Sequence, residues 1–372
     1  MSVQVSYSKQ FALGIILLIV ILVIVEVSSY IILNERDSCI VGLWESGLYY
    51  NYSENFVKSL CADYKSIIDF EKPYKHLEPN QKTDTVNINS FGVRGEEFNL
   101  TKESDVYRIV MLGGSTMYGV YVTSDLATIP SFLDKKIQRE NPNFKVEIIN
   151  AGINGSDSFD ELSFLMDRLL KLEPDMIFVY DGGNDLLNKI SEEEILKDPW
   201  PTEIDKVSKK LRNYYKTTHL IEFLDRVIQK NIFNDQNRKS EEISEDKIER
   251  KILLWSERWS KFCEREDMSE KDIIIAVQPY LGTGEKNFSN WEKMAKQNNM
   301  KTDVAGHFPL LIDNLEKIEE KCTKTLNLTN SFDNNSETIF YDLIHVVDKG
   351  NEIIADRIYD EILPILKNQF NK

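Results

Sequence analysis

The sequence predicts an α/β protein: a three-layer α/β/α body with a parallel sheet, preceded by one N-terminal transmembrane helix and carrying a helical insertion. Three observations lead there. Short apolar runs alternate with helical periods from Tyr107 onward, residues 11–25 form an uncharged run, and the alternation stops between Leu186 and about Lys271.

Residues 11–25 are rich in Leu, Ile and Val. Counted on to Leu33, the segment reaches the roughly 20 residues needed to cross a bilayer. Counted only to Val25, it resembles the apolar stretch of a signal peptide, with Val27-Ser28-Ser29 as a cleavage site. The preferred reading is an uncleaved anchor over residues 11–33 with residues 1–10 as a cytoplasmic tail. Lys9 and the terminal amine precede the anchor, and Glu35, Arg36 and Asp37 follow it, so the positive-charge bias puts residues 34–372 outside the cytoplasm. Residues 34–104 read as a connector, rich in Tyr and acidic groups, without strong periodicity.

Strand runs are expected at residues 107–112, 145–150, 176–180 and 272–277. A helix over 129–140 is stopped by Asn141-Pro142-Asn143, a second over 159–172 is ended by Pro174, and a closing helix over 348–367 lines up Ile353, Ile354, Ile358 and Ile362. Strands separated by helices of this length imply a parallel sheet covered on both faces, with ligands beyond the C-terminal strand ends. The body is thus assigned to residues 105–185 and 272–372. Residues 186–271 form the helical insertion, with stripes at Ile204, Val207, Leu211 and Tyr214, at Leu220, Leu224, Val227 and Ile228, and at Ile248, Ile252, Trp255, Trp259 and Phe262. The aromatic stripe reads as core packing.

The formal net charge of -16 repels a phosphate backbone, which argues against a nucleic-acid partner. Cys39, Cys61, Cys263 and Cys322 are too scattered for zinc-ligand pairs. Outside the cytoplasm they could instead form two disulfides, Cys39–Cys61 and Cys263–Cys322, with free buried thiols as the alternative. No metal site is expected.

Four segments carry chemistry: Gly113-Gly114-Ser115, Asn150-Ala151-Gly152-Ile153-Asn154-Gly155, Gly182-Gly183-Asn184-Asp185 and Asp342-Leu343-Ile344-His345. Ser115 follows a strand and two glycines, which let the backbone turn and expose the hydroxyl; an N-capping serine is the plainer reading. A P-loop is excluded because Val120-Tyr121 follow Gly119, and a nucleophile elbow because Met117 replaces its last glycine. Serine needs a base. Of His76, His219, His307 and His345, the last is the candidate: it lies three residues after Asp342, whose carboxylate can fix its tautomer or stabilise the imidazolium, although a structural histidine bonded to its neighbour is the plainer reading of that pair alone. Gly155, Ser115 and Asn184 could supply oxyanion donors, although each motif alone is also an ordinary turn after a strand.

In their order the four segments resemble the blocks of the SGNH hydrolases, the GDSL-type esterases and lipases, whose three-layer fold is flavodoxin-like. Gly114 stands where the name-giving Asp usually lies. Gly-Gly-Ser-Thr at residues 113–116 and Asn89-Ser90-Phe91-Gly92-Val93-Arg94-Gly95 resemble a branch often tethered to membranes. The resemblance covers roughly residues 87–185 and 272–367. It implies Ser115 as nucleophile, His345 as base, Asp342 as orienting acid, and Ser115 N–H, Gly155 N–H and Asn184 as oxyanion donors, with no metal or organic cofactor. The expected activity is ester hydrolysis on O-acyl groups, O-acetyl included, of surface glycans or lipids. Acyl transfer at the same site and a non-catalytic glycan-binding scaffold are the alternatives. Arg94 either binds an anionic group or staples the connector to the core, with the staple preferred.

Overall fold

The computed structural model describes residues 7–35, 38–70, 74–187, 245–298 and 304–370. The chain divides into two compact units, with a boundary between Val41 and Gly42.

The first unit contains helix α1, Tyr7–Glu35. Its stretch from Tyr7 to Ser29 is 23 residues long with mean hydropathy 3.0, enough to cross a membrane by length and composition; a signal sequence passes the same test. Helix α2, Ser38–Glu45, spans the boundary between the units.

The second unit begins with helix α3, Glu54–Ser66, capped by the Ser53 hydroxyl, which accepts from Phe56 N. Two small antiparallel ladders follow, β1 (Asp69–Phe70) with β2 (His76–Leu77) and β3 (Gln81–Lys82) with β4 (Asn87–Ile88). The main sheet has five parallel strands: β5 (Tyr107–Gly113), β6 (Val146–Gly152), β7 (Met176–Asp181), β8 (Asp272–Val277) and β9 (Lys324–Asn327), in spatial order β6-β5-β7-β8-β9. The helices between them are α4 (Ser115–Tyr118), α5 (Ile129–Glu140), α6 (Ser158–Asp167), α7 (Gly183–Leu187), α8 (Glu245–Cys263), α9 (Asn290–Asn298), α10 (Phe308–Glu319) and α11 (Asp348–Phe370).

Alternation along the strands sorts the core into two layers. Val110, Leu112, Ile177, Val179, Ile273, Ile275 and Val277 face one layer with α6, α8 and α10. Ile109, Met111, Phe178, Ile274 and Ala276 face the other with α5 and α11. Both faces are covered, so the strands read as unbroken apolar runs rather than alternating ones. The α/β/α expectation therefore holds.

Boundaries shift by up to three residues, the closing helix running on to Phe370, and the expected helix over 159–172 ends at Asp167, with a 3-10 turn over Leu169–Leu172. The stripe from Ile248 to Phe262 forms α8, and Trp255 and Trp259 are wholly buried in the first layer. The other two stripes of the expected insertion lie outside the described residues. Cys263–Cys322 is a disulfide, and no cysteine is free.

Chain order reverses at β5: its first connection leads to β6 on one side, whereas β7 lies on the other and leads on to β8. The switch point thus lies between β5 and β7, the place where ligands of open parallel sheets collect, beyond the C-terminal strand ends.

Candidate active site

Ser115 begins α4 immediately beyond β5. The turn that presents it is crowded: a Cβ on Gly113 would fall 2.6 Å from Tyr180 O, and one on Gly152 at the end of β6 would fall 2.2 Å from Tyr118 N. Only glycine permits these approaches. Gly119, at φ 88°, ends the short helix, and buried Arg94 holds its last carbonyls, donating from one terminal nitrogen to Tyr118 O at 3.1 Å and Gly119 O at 2.7 Å. Arg94 also donates through Nε to Asp125 at 2.7 Å and through its other terminal nitrogen to Thr85 O at 3.1 Å. It staples the segment before the body to α4, as the preferred reading expected.

His345 and Asp342 lie in a tight reversal before α11, where Phe340 bridges Val346 and Tyr341 N donates to His345 O at 2.8 Å. Asp342 builds that reversal: its Oδ1 accepts from Ile344 N at 2.9 Å and His345 N at 2.8 Å. Asp342 Oδ2 lies 2.7 Å from His345 Nδ1, and His345 Nε2 lies 2.7 Å from Ser115 Oγ. Residues 230 positions apart thus form one hydrogen-bonded chain. Burial alone would raise the pKa of Asp342; His345 and the two backbone N–H groups outweigh it and hold the carboxyl below its usual range. Ser115 is only 5 % exposed.

Asn184 is the second residue of α7, beyond β7, and donates from Nδ2 to Ser156 O at 2.6 Å. Gly155, at φ 72°, precedes Ser156 in the loop after β6, and its carbonyl accepts a short hydrogen bond from Lys75 Nζ. The loop is tied to the end of β5, since Ile153 N donates to Gly113 O at 3.0 Å. The ends of β5, β6 and β7 therefore set Ser115 in α4, Gly155 in the loop after β6 and Asn184 in α7, in adjoining segments. His76 and His307 stay elsewhere: His76 Nδ1 meets Tyr74 O, and His307 ends a 3-10 turn before α10. His219 lies outside the described residues. Among those residues, no group of three or more His, Cys, Asp or Glu is placed to hold a metal ion.

Several neighbours were not singled out from sequence. Thr116 Oγ1 donates to buried Gln278 at 2.8 Å, bracing α4 from the end of β8. Tyr121, at the unusual φ of 61°, forms T-shaped ring pairs with His345 and Tyr341, centroids 6.5 and 5.0 Å apart, and Tyr64 lies tilted against it at 4.8 Å. Tyr49 donates a short hydrogen bond to Tyr121 O, fixing that strained residue. Buried Lys286 and Glu292 pair at 2.8 Å, and Glu292 Oε1 accepts from Ile339 N and Phe340 N, anchoring the chain that leads into the Asp342 reversal. Thr116, Gln278, Tyr121 and Tyr49 have no local motif, because each depends on a partner far away in sequence, whereas Glu292 also closes a local capping box with Ser289.

Residues 111–287 match the GDSL-like Lipase/Acylhydrolase family. The family match takes in Ser115, Gly155 and Asn184 and ends before Asp342 and His345. Among solved structures, the chain is similar to an acetyl xylan esterase, AlAXEase, with TM-score 0.41 and 12 % identity over 68 % of this chain and 99 % of that one. It is similar to Axe2, an acetylxylan esterase from Geobacillus stearothermophilus, with TM-score 0.41 and 13 % identity over 69 % and 94 %. A two-domain esterase active on acetylated mannans gives 0.39 and 13 % over 70 % and 49 %. No curated protein matches the chain.

Proposed function

We propose that the protein is a serine ester hydrolase working through an acyl-enzyme. The observation that carries this reading is the hydrogen-bonded chain from Ser115 Oγ through His345 to Asp342, 2.7 Å at each step. Asp342, kept ionised, accepts the Nδ1 proton of His345 and leaves Nε2 with its lone pair toward Ser115. Nε2 takes the Ser115 proton as Oγ attacks the acyl carbonyl. The oxyanion is held by Asn184 and the backbone N–H groups of Gly155 and Ser115, each such donor contributing typically ~3 kcal/mol to barrier lowering. The imidazolium then protonates the leaving alkoxide. Water, deprotonated by His345, releases the acid and restores Ser115.

The substrate class proposed is O-acyl groups, O-acetyl among them, on surface glycans or lipids. α1 is read as a membrane anchor, with the catalytic unit outside the cytoplasm. The Cys263–Cys322 bridge supports that side, since disulfides persist in oxidising compartments.

The test is turnover of p-nitrophenyl acetate by the full chain in detergent, together with labelling by a fluorophosphonate. Ser115→Ala is expected to lose labelling and to lower kcat about 10³-fold or more. Equal turnover by the variant would overturn the proposal.

A further inference from the structure

Ser156 lies between Gly155 and the start of α6, and three acceptors surround its hydroxyl. Ile153 O is 3.0 Å from Oγ, Gly113 O 3.2 Å and Glu161 Oε1 3.3 Å. A hydroxyl has one proton to donate. With Glu161 ionised, two of the three contacts would set oxygen lone pairs against each other. With Glu161 protonated, its O–H donates to Ser156 Oγ, whose own proton goes to the main chain.

The surroundings of Glu161 favour the same state. The side chain is 1 % exposed, and Oε2 is buried with no hydrogen-bond partner among the described residues. The titratable groups turned toward it are Asp157 before α6, Asp181 at the end of β7 and Asp185 in α7, all acids. From α8 come Arg258, 3.7 Å from Asp185 and donating to Ser158 Oγ at 2.9 Å, and Lys251, which donates to Leu186 O at 2.9 Å. The side chains of Trp255 and Trp259 donate to Asp181. Both cations serve the Asp185 side of the group. An ionised Glu161 would be a buried anion beside other anions, with no cation of its own among the described residues. Burial, reinforced by Asp181, Asp185 and Asp157, pushes its pKa well up.

We propose that Glu161 is a positioning residue held as the neutral acid, whose proton bonds Ser156 Oγ and so fixes the loop that presents both Gly155 and the acceptor for Asn184. The relay runs from the Glu161 carboxyl to Ser156 Oγ and on to Gly113 or Ile153. Through Ser156 O, which receives Asn184 Nδ2 at 2.6 Å, it reaches the second side chain of the site. Loss of the Glu161 proton loosens two of the three oxyanion donors at once, Gly155 N–H and Asn184. The inference rests on reading Ser115 as a nucleophile.

The full-length protein in detergent is assayed with p-nitrophenyl acetate, and Ser115 is labelled with a fluorophosphonate. Glu161→Ala and Ser156→Ala are expected to lower kcat about 10- to 100-fold with KM within about twofold, as when transition-state donors are loosened. Glu161→Gln, whose amide N–H restores the donor, rescues kcat to within about threefold of wild type. The infrared difference spectrum, wild type minus Glu161→Gln at pH 7, shows the C=O band of a protonated carboxylic acid that shifts in D2O. Absence of that band in a labelled wild type overturns the proposal, as does a Glu161→Gln variant as slow as Glu161→Ala. Ser156→Ala keeps the kinetic test open if Glu161→Ala fails to fold, and wild-type kcat in that variant also overturns it. A wild type that resists labelling points instead to failure of the nucleophile reading.

Discussion

Gly114 and Asn184 share one volume: a Cβ on Gly114 would fall 2.3 Å from Asn184 Nδ2. The residue that departs from the Asp of the GDSL-type pattern thus makes room for the amide that bonds Ser156 O. Gly114→Ala is expected to push Asn184 aside and lower kcat about 10- to 100-fold, a fraction of what complete loss of one oxyanion donor costs. Steady-state kinetics on p-nitrophenyl acetate checks this; an unchanged kcat would show that Asn184 does not act from its present position.

Asp342→Asn replaces the acceptor for His345 Nδ1–H with a group that can also donate. The wrong imidazole tautomer then faces Ser115, and kcat should fall by about 10⁴-fold with little change in KM. Fluorophosphonate labelling should slow in parallel. A loss under tenfold would show that Asp342 serves only the turn.

Glu292 is wholly buried against Lys286 and the N–H groups of Ser289, Ile339 and Phe340. Glu292→Ala leaves a buried ammonium without its carboxylate, at an expected cost of about 3–5 kcal/mol. Denaturant unfolding measures it, and a loss under about 1 kcal/mol contradicts the assignment.

Asp160 sets a pH dependence. Burial and the neighbouring Asp157 raise its pKa from 3.8 to about 6, against the opposing pull of Lys75. The folded state therefore holds this proton more tightly than the unfolded chain between those values. Its contribution is present below about pH 4 and is lost as pH rises through about 6. Asp160→Asn should flatten the fall in stability across that window; unfolding midpoints at pH 4, 5, 6 and 7, compared with wild type, decide it.

The Cys263–Cys322 bridge closes a loop of 59 residues between the end of α8 and the approach to β9. Chain entropy puts its contribution at about 4 kcal/mol. The Cys263→Ser/Cys322→Ser double variant should lose up to that amount in chemical unfolding, and an unchanged midpoint would mean the bridge constrains nothing.

The sheet was legible in sequence wherever both faces of a strand are buried, because Ile-Val-Met-Leu and Ile-Ile-Ile-Ala-Val announce themselves as apolar runs. β9 was not: it is a short edge strand, Lys324-Thr325-Leu326-Asn327, with one apolar residue. α10 escaped because Pro309 and Asp313 interrupt its pattern, although Phe308, Leu311, Leu315 and Ile318 are buried on one face. At the site, Ser115, Asn184 and the Asp342–His345 pair each sit in a short motif that a reader can see. Glu292 sits in a Ser289-x-x-Glu292 capping box at the start of α9, but Glu161, Lys75 and Gln278 sit in none. Their roles exist only once distant segments meet, and nothing in their immediate neighbours distinguishes them from ordinary surface residues.

Tyr49, Lys75 and Arg94 grip Tyr121, Gly155 and the end of α4, respectively. The stretch from Gly42 to residue 104 is consequently no interchangeable tether. A chimera that grafts residues 105–372 onto a foreign leader would inherit Ser115 while discarding the clamps that hold its surrounding loops, so any productive fusion joint has to fall upstream of Gly42.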